Sequence, residues 1–145
     1  MNDFEPQSGL GLLQEMIRNG NSSAMGELMN MKLTEVSDGK AVLEAFPSEK
    51  FYNPQLRVHG GYVATLIDSA LGCAVQTKLG GGVGFGTIEL KVNYVRKLVA
   101  ETGRLVCTGT VLHAGRTMLT AEAKVAGPDG KLYAHGSGTF LVYPS

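Results

Sequence analysis

Apolar residues recur at three- and four-residue steps through the stretch VHGGYVATLIDSALGCAVQTKL, Val58 to Leu79: Val63, Leu66, Ile67, Ala70, Leu71 and Ala74. That period predicts one long helix, apolar nearly all round. A helix without a polar face is enclosed by the rest of its fold. Asp68 interrupts the pattern. Its neighbours one turn away, Ala64, Thr65, Leu71 and Gly72, offer no charge partner, and burying an unpaired carboxylate is costly. Gly60 and Gly61 head the run. Glycine there leaves the unpaired N–H groups of the first turn open to an approaching group. The segment therefore offers a terminus for an anion or a carbonyl and, further along, an isolated acid.

The flanking patterns predict the remaining elements. Leu10 to Arg18 reads as a short helix closed by Asn19-Gly20, and Ser22 or Ser23 caps a second turn through Leu28. Lys32–Val36 and Lys40–Phe46 read as strands joined by Ser37-Asp38-Gly39. Asn53-Pro54 marks a turn before the long helix, and the run Gly80 to Gly86 follows it. Thr87–Val95 alternates, with Ile88, Leu90, Val92 and Tyr94 on one side and Thr87, Glu89, Lys91 and Asn93 on the other. Three more strands, Gly103–His113, Arg116–Ala126 and Lys131–Tyr143, are separated by hairpin loops. Two strands, a helix and four strands predict an α+β fold, one long central helix wrapped by a six-stranded, mainly antiparallel sheet. All 145 residues are expected to form this one domain, with residues 1–30 as an N-terminal helical extension.

Charge and composition narrow the function. Thirteen basic and thirteen acidic residues cancel, and no basic cluster is present. That argues against nucleic acid or an anionic membrane as partner. No long uncharged apolar run suggests a membrane span, and the start MNDFEPQSG lacks a signal-peptide pattern. Cys73 and Cys107 read as two buried thiols in a reducing cytoplasm. Gly80 to Gly86 fits no G-x-G-x-x-G register and has no lysine at P-loop spacing. A Gly-x-Ser-x-Gly elbow is absent, and Gly136-Ser137-Gly138 lies inside a strand pattern. The three histidines stand at no ligand spacing, so no metal site is expected.

VHGGYVATLIDSA resembles the signature of hotdog-fold acyl-CoA thioesterases of the phenylacetyl-CoA thioesterase-like group, and TIELKVNYVRKL resembles the strand that follows the helix there. The resemblance covers roughly Met31 to Tyr143. It implies the hotdog fold and hydrolysis of a small or aromatic acyl-CoA. The only coenzyme involved would be the CoA carried by the substrate. It also implies a homodimer as the minimal unit, with a homotetramer as the expected assembly. By residue, it implies that the Gly60 N–H polarises the thioester carbonyl and that Asp68 is nucleophile or general base. It implies that Asn53 positions the nucleophile or water and that Thr87 stands beside the acid. Apart from the resemblance, Asn53 also reads as a turn residue and Thr87 as a strand former.

The candidate substrate-binding residues are His59, Gly61, Gly84, Gly86, Arg96, Lys97, His113 and Arg116. Gly84 and Gly86 belong to a flexible loop bordering the ligand. The four charged or titratable residues near strand ends read either as solvated surface or as cations for the CoA phosphates, a task that suits arginine. His59 reads as a base or as a side chain bonding nearby backbone.

The chemistry is coherent on its own terms. Thioester hydrolysis needs a nucleophile or activated water and stabilisation of a developing oxyanion. A helix N-terminus supplies fixed N–H donors and a favourable dipole. Two other readings stay open: a hotdog hydratase or dehydratase using His59 and Asp68 as acid and base, and a non-catalytic acyl-CoA-binding module. The first requires a catalytic histidine; the second predicts binding without turnover.

Overall fold

Side-chain caps start the two N-terminal helices. In the computed structural model, which describes residues 7–144, Ser8 accepts from the Gly11 N–H and opens α1 (Gly9–Arg18). Ser23, the second of the two expected serines, does the same for Gly26 and opens α2 (Ala24–Met29). Met1 to Pro6, the acidic start of the expected extension, and Ser145 lie outside the described residues. The hairpin β1 (Met31–Ser37) and β2 (Lys40–Ala45) follows, then the long helix α3 (Gly60–Gln76). β3 (Phe85–Tyr94), β4 (Leu105–Ala114), β5 (Met118–Ala126) and β6 (Leu132–Val142) complete the chain.

The six strands form one sheet in the order β1-β2-β4-β5-β6-β3, and every pairing is antiparallel. α3 packs on one face and touches all six strands. Its Leu66, Ile67, Ala70, Leu71, Ala74 and Val75 are fully buried, together with Leu105, Cys107 and Val125 of the sheet. Three strand glycines let the helix come down this close. A Cβ on Gly109 would lie 2.5 Å from the Ala70 carbonyl oxygen, and one on Gly138 would lie 2.9 Å from Leu71. On Gly136 it would meet Ile67 at 3.1 Å. Gly136-Ser137-Gly138 is thus the seat of the helix on β6. The arrangement is the expected hotdog fold.

Two sequence expectations are corrected. The helix starts at Gly60, not Val58, whose N–H bonds the Leu98 carbonyl at 2.8 Å, and it ends at Gln76. Nor is α3 enclosed all round by this chain. Ala64, Thr65, Asp68, Ser69, Gly72 and Cys73 form a half-buried stripe. The sheet covers one side of the helix and α1 and α2 only part of the other.

A third correction concerns β3. Its pairing with β6 shifts register between Thr87 and Glu89, a bulge at Ile88. Thr87 is opposite Phe140, and Leu90, Val92 and Tyr94 are opposite Gly138, Gly136 and Ala134. Those β6 residues include the buried Phe140 and Ala134, so Thr87 joins Leu90, Val92 and Tyr94 on the helix side. Strict alternation had put it on the opposite side. The extra residue inverts the face of everything before it.

Candidate active site

The first turn of α3 is built by His59, which precedes it with φ −60° and ψ 139°. Its Nδ1 accepts the Gly61 N–H at 2.7 Å. A neutral imidazole that accepts at Nδ1 carries its proton on Nε2. The Tyr62 N–H reaches the His59 carbonyl at 3.0 Å. Of the leading donors, Gly60's N–H has no partner among the described residues. It is a polarised donor at the positive end of the helix.

Tyr94 braces this end from β3. Its hydroxyl donates to the Gly60 carbonyl at 2.6 Å. Partial burial holds the phenol above its ordinary pKa, which keeps the donor protonated. Around it runs a groove of about 460 Å3, lined by Gly60, Gly61, Asn53 and Tyr94 and by three cations, Arg57, Arg96 and Lys97. Asn53 shapes the loop that leads in. Its Oδ1 accepts from the Gln55 N–H at 2.9 Å and the Arg57 N–H at 3.3 Å, a side-chain turn of the kind asparagine forms readily.

Asp68 lies two turns further along α3. It is half-buried and accepts from the Thr87 hydroxyl at 2.8 Å. The bulge at Ile88 is what turns that hydroxyl toward the helix. β3 therefore bonds α3 at two points, Gly60 through Tyr94 and Asp68 through Thr87. Asp68 and Thr87 do not line the cationic groove. Eight residues at 1.5 Å per residue separate Gly60 from Asp68 by about 12 Å along the axis.

The other expected residues are dispersed. Gly84 and Gly86 lie beneath Tyr143. A Cβ on Gly84 would be 3.3 Å from its ring, and one on Gly86 would overlap its hydroxyl. Gly84 lines a separate cavity beside Val142 and Tyr143. His113 is exposed near the end of β4, opposite Thr120, and Arg116 is exposed in the following turn. Neither lines the cationic groove. Gly61 lines that groove, but its N–H is occupied by His59. Sequence reasoning missed Arg57 and Tyr94. Arg57 stands two residues before His59, and Tyr94 is the one hydroxyl-bearing residue in the apolar set of its strand. Burial pushes the Cys73 thiol up to about 11 and the Cys107 thiol up to about 12, so neither is a nucleophile at neutral pH. No helix of the described residues is long and apolar enough to cross a membrane.

One long helix laid on a six-stranded antiparallel sheet is the hotdog fold. Residues 57–134 match the Thioesterase superfamily; the chain belongs to that family and is a thioester hydrolase. A candidate esterase of Halobacterium salinarum is 30% identical, over 99% of this chain and 98% of that protein. A conserved protein of Pseudomonas aeruginosa, solved as a structure, is 36% identical at a TM-score of 0.78, over 87% of this chain and 98% of its own. The phenylacetic acid degradation protein PaaI of Thermus thermophilus is similar at 25% identity and a TM-score of 0.74, over 82% and 98%. A Streptococcus mutans protein, solved bound to acetyl-CoA, shares the fold at 23% identity and a TM-score of 0.72, over 80% and 90%.

Proposed function

We propose that this protein hydrolyses a small or aromatic acyl-CoA to the free acid and CoA, at a site shared between two subunits. The observation that carries the reading is the pair on α3: an unpartnered Gly60 N–H and a carboxylate oriented by Thr87. Asp68 either takes a proton from a water as that water attacks the thioester carbon, or attacks that carbon itself to give an acyl-aspartyl anhydride that water then hydrolyses to the free acid and the regenerated carboxylate. The carbonyl oxygen becomes an oxyanion held by the Gly60 N–H. Collapse breaks the C–S bond, and the CoA sulfur leaves and takes up a proton. Arg57, Arg96 and Lys97 beside Gly60 suit the phosphates of CoA. The Streptococcus relative bound to acetyl-CoA supports this substrate class.

A reacting carbon lies within about 3–3.5 Å of its nucleophile. With Gly60 and Asp68 about 12 Å apart along one helix, one chain does not meet both demands. Two antiparallel helices across a two-fold axis do, because Gly60 of one subunit then faces Asp68 of the other. The open edge of β3 supports such a partner. Ile88 is 53% exposed and Tyr94 55%, beside the half-buried stripe of α3. Pairing of such dimers gives the expected tetramer. The hydratase alternative needs a histidine base. The Nδ1 lone pair of His59 is already engaged by Gly61, and Nε2 then bears the proton.

The test mixes inactive Asp68→Ala with inactive Gly60→Pro under subunit exchange. A mixed dimer holds one doubly mutated site and one intact site. Random exchange makes half the dimers mixed, so about a quarter of wild-type activity returns for an isologous pair. Activity at background, with exchange confirmed by mass spectrometry, overturns the shared site.

A further inference from the structure

Pro54, Gln55 and Leu56 form a three-residue loop between Asn53 and Arg57. The Leu56 N–H reaches the Asn53 carbonyl at 3.0 Å, and the Asn53 N–H reaches the Arg57 carbonyl at 2.8 Å. Proline stands at the second position of this turn, where its fixed φ suits it, and the last loop residue is left-handed. That residue is Leu56, with φ 60°. Among the described residues only Asn30 is also left-handed without being glycine, and asparagine at a helix end takes that backbone readily. Leucine does not, because its Cβ crowds the following carbonyl oxygen.

The loop is nonetheless firmly set. Asn53 Oδ1 accepts from the Gln55 and Arg57 N–H groups, and the His59 N–H closes the base on the Phe51 carbonyl at 2.8 Å. Glycine at position 56 would make the same backbone bonds without the crowding. Leu56 is also 72% exposed, so packing within the chain does not offset the cost. Strained residues of this kind gather where a ligand is held. The neighbours on either side, Gln55 and Arg57, both line the cationic groove at Gly60.

Reach fixes which part of an acyl-CoA passes the loop. Four residues span at most ~14 Å, so Leu56 stands within that distance of Gly60. With the thioester at the Gly60 N–H and the phosphates on the cations of the groove, the pantetheine arm lies between them. That arm carries methylenes and a dimethyl-substituted carbon, apolar groups that a leucine covers and a glycine does not. We propose that Leu56 is a specificity-determining residue that covers the pantetheine arm of acyl-CoA, held over it by the Asn53 turn. The proposal rests on the acyl-CoA reading of the groove.

The experiment compares the wild type with Leu56→Gly, Leu56→Asn and Leu56→Met on thioesters of CoA, pantetheine and N-acetylcysteamine. The acyl group is the one the wild type hydrolyses fastest as its CoA ester, and N-acetylcysteamine lacks the dimethyl part of the arm. Covering about half of a leucine side chain is worth about fivefold in binding. Leu56→Gly and Leu56→Asn are each expected to raise KM for the CoA and pantetheine esters about fivefold with kcat unchanged, the pattern of lost uniform binding. Their kcat/KM for the N-acetylcysteamine ester should match the wild type. Leu56→Met keeps the apolar surface and should keep the wild-type KM. Glycine and asparagine both accept the left-handed backbone, so the turn survives in each. A wild-type KM in Leu56→Asn overturns the contact, because that variant loses only the apolar side chain. An increase confined to the CoA ester moves Leu56 to the nucleotide and overturns it, as does an equal loss on all three esters. Dissociation of the subunits in either variant, read by light scattering, assigns the leucine to the subunit contact and overturns it too. If the wild type hydrolyses no CoA ester, the acyl-CoA reading fails, and calorimetry with CoA and pantetheine decides the contact. Affinity for both that falls in Leu56→Gly and Leu56→Asn and holds in Leu56→Met upholds it; unchanged affinity, or none in the wild type, overturns it.

Discussion

Replacing Gly60 by proline removes the proposed oxyanion donor and little else. Gly60 is the first helical residue of α3, and proline is favoured at that position because its missing N–H had no helical partner. His59 already has ψ 139°, the extended backbone that a following proline requires. No hydrogen bond is lost, since the Gly60 N–H has no partner among the described residues. A Cβ there meets Tyr94, which is exposed and whose hydroxyl would lie 3.1 Å away. Stability should therefore change by no more than about 1 kcal/mol. Loss of one oxyanion donor costs about 2.7–4 kcal/mol of transition-state stabilisation, or 10²–10³ in kcat. Because the bond strengthens in the transition state, kcat and kcat/KM fall together. Gly60→Ala is the matched control: it brings the same Cβ toward Tyr94 but keeps the N–H, and should retain most of the activity. The assay is thiol release from the best acyl-CoA, with circular dichroism and thermal denaturation to establish folding. A folded Gly60→Pro with wild-type kcat would refute the donor assignment.

Asp68→Asn should stay folded and lose about 10²–10⁴ in kcat, the usual worth of a positioned acid–base group; turnover at the wild-type rate would remove Asp68 from the mechanism. Thr87→Val deletes a hydrogen bond to a charged group, worth about 1.5–3 kcal/mol, so kcat/KM should drop about 10- to 100-fold while Thr87→Ser retains it. Gly138→Ala places a Cβ 2.9 Å from Leu71 and should destabilise the fold by about 1–3 kcal/mol, read as a lower urea midpoint. The buried Cys107 thiol is pushed up from 9.0 to about 12. The unfolded chain loses that proton first, so this contribution to stability is whole below pH 9 and lost as pH rises toward 12. Its share of the slope is about 1.4 kcal/mol per pH unit, and Cys107→Ala should remove that share from urea midpoints taken across that range, while the share of Cys73 remains.

The chain's local patterns determined much of this protein. Helical spacing marked α3, Ser37-Asp38-Gly39 marked the first hairpin, and the glycines at the head of α3 and the acid within it singled out the candidate site. These are signals carried by neighbours within a few residues, where backbone preference and side-chain period act directly. Tertiary structure decided the rest. β3 crosses to the far edge of the sheet and pairs with β6, a choice made by contacts distant in sequence. The bulge at Ile88 reverses the face of Thr87, which alternation alone misplaces. Tyr94 and Arg57 join Gly60 because a strand and a loop remote from each other converge on the helix start. Gly109, Gly136 and Gly138 lie inside strands, and only the helix laid across them shows why a side chain is absent there. The Asp68 side of α3 looked like part of an enclosed helix because its neighbours are small and apolar. Only the packed sheet, finite in width, determines which stripe of that helix stays open.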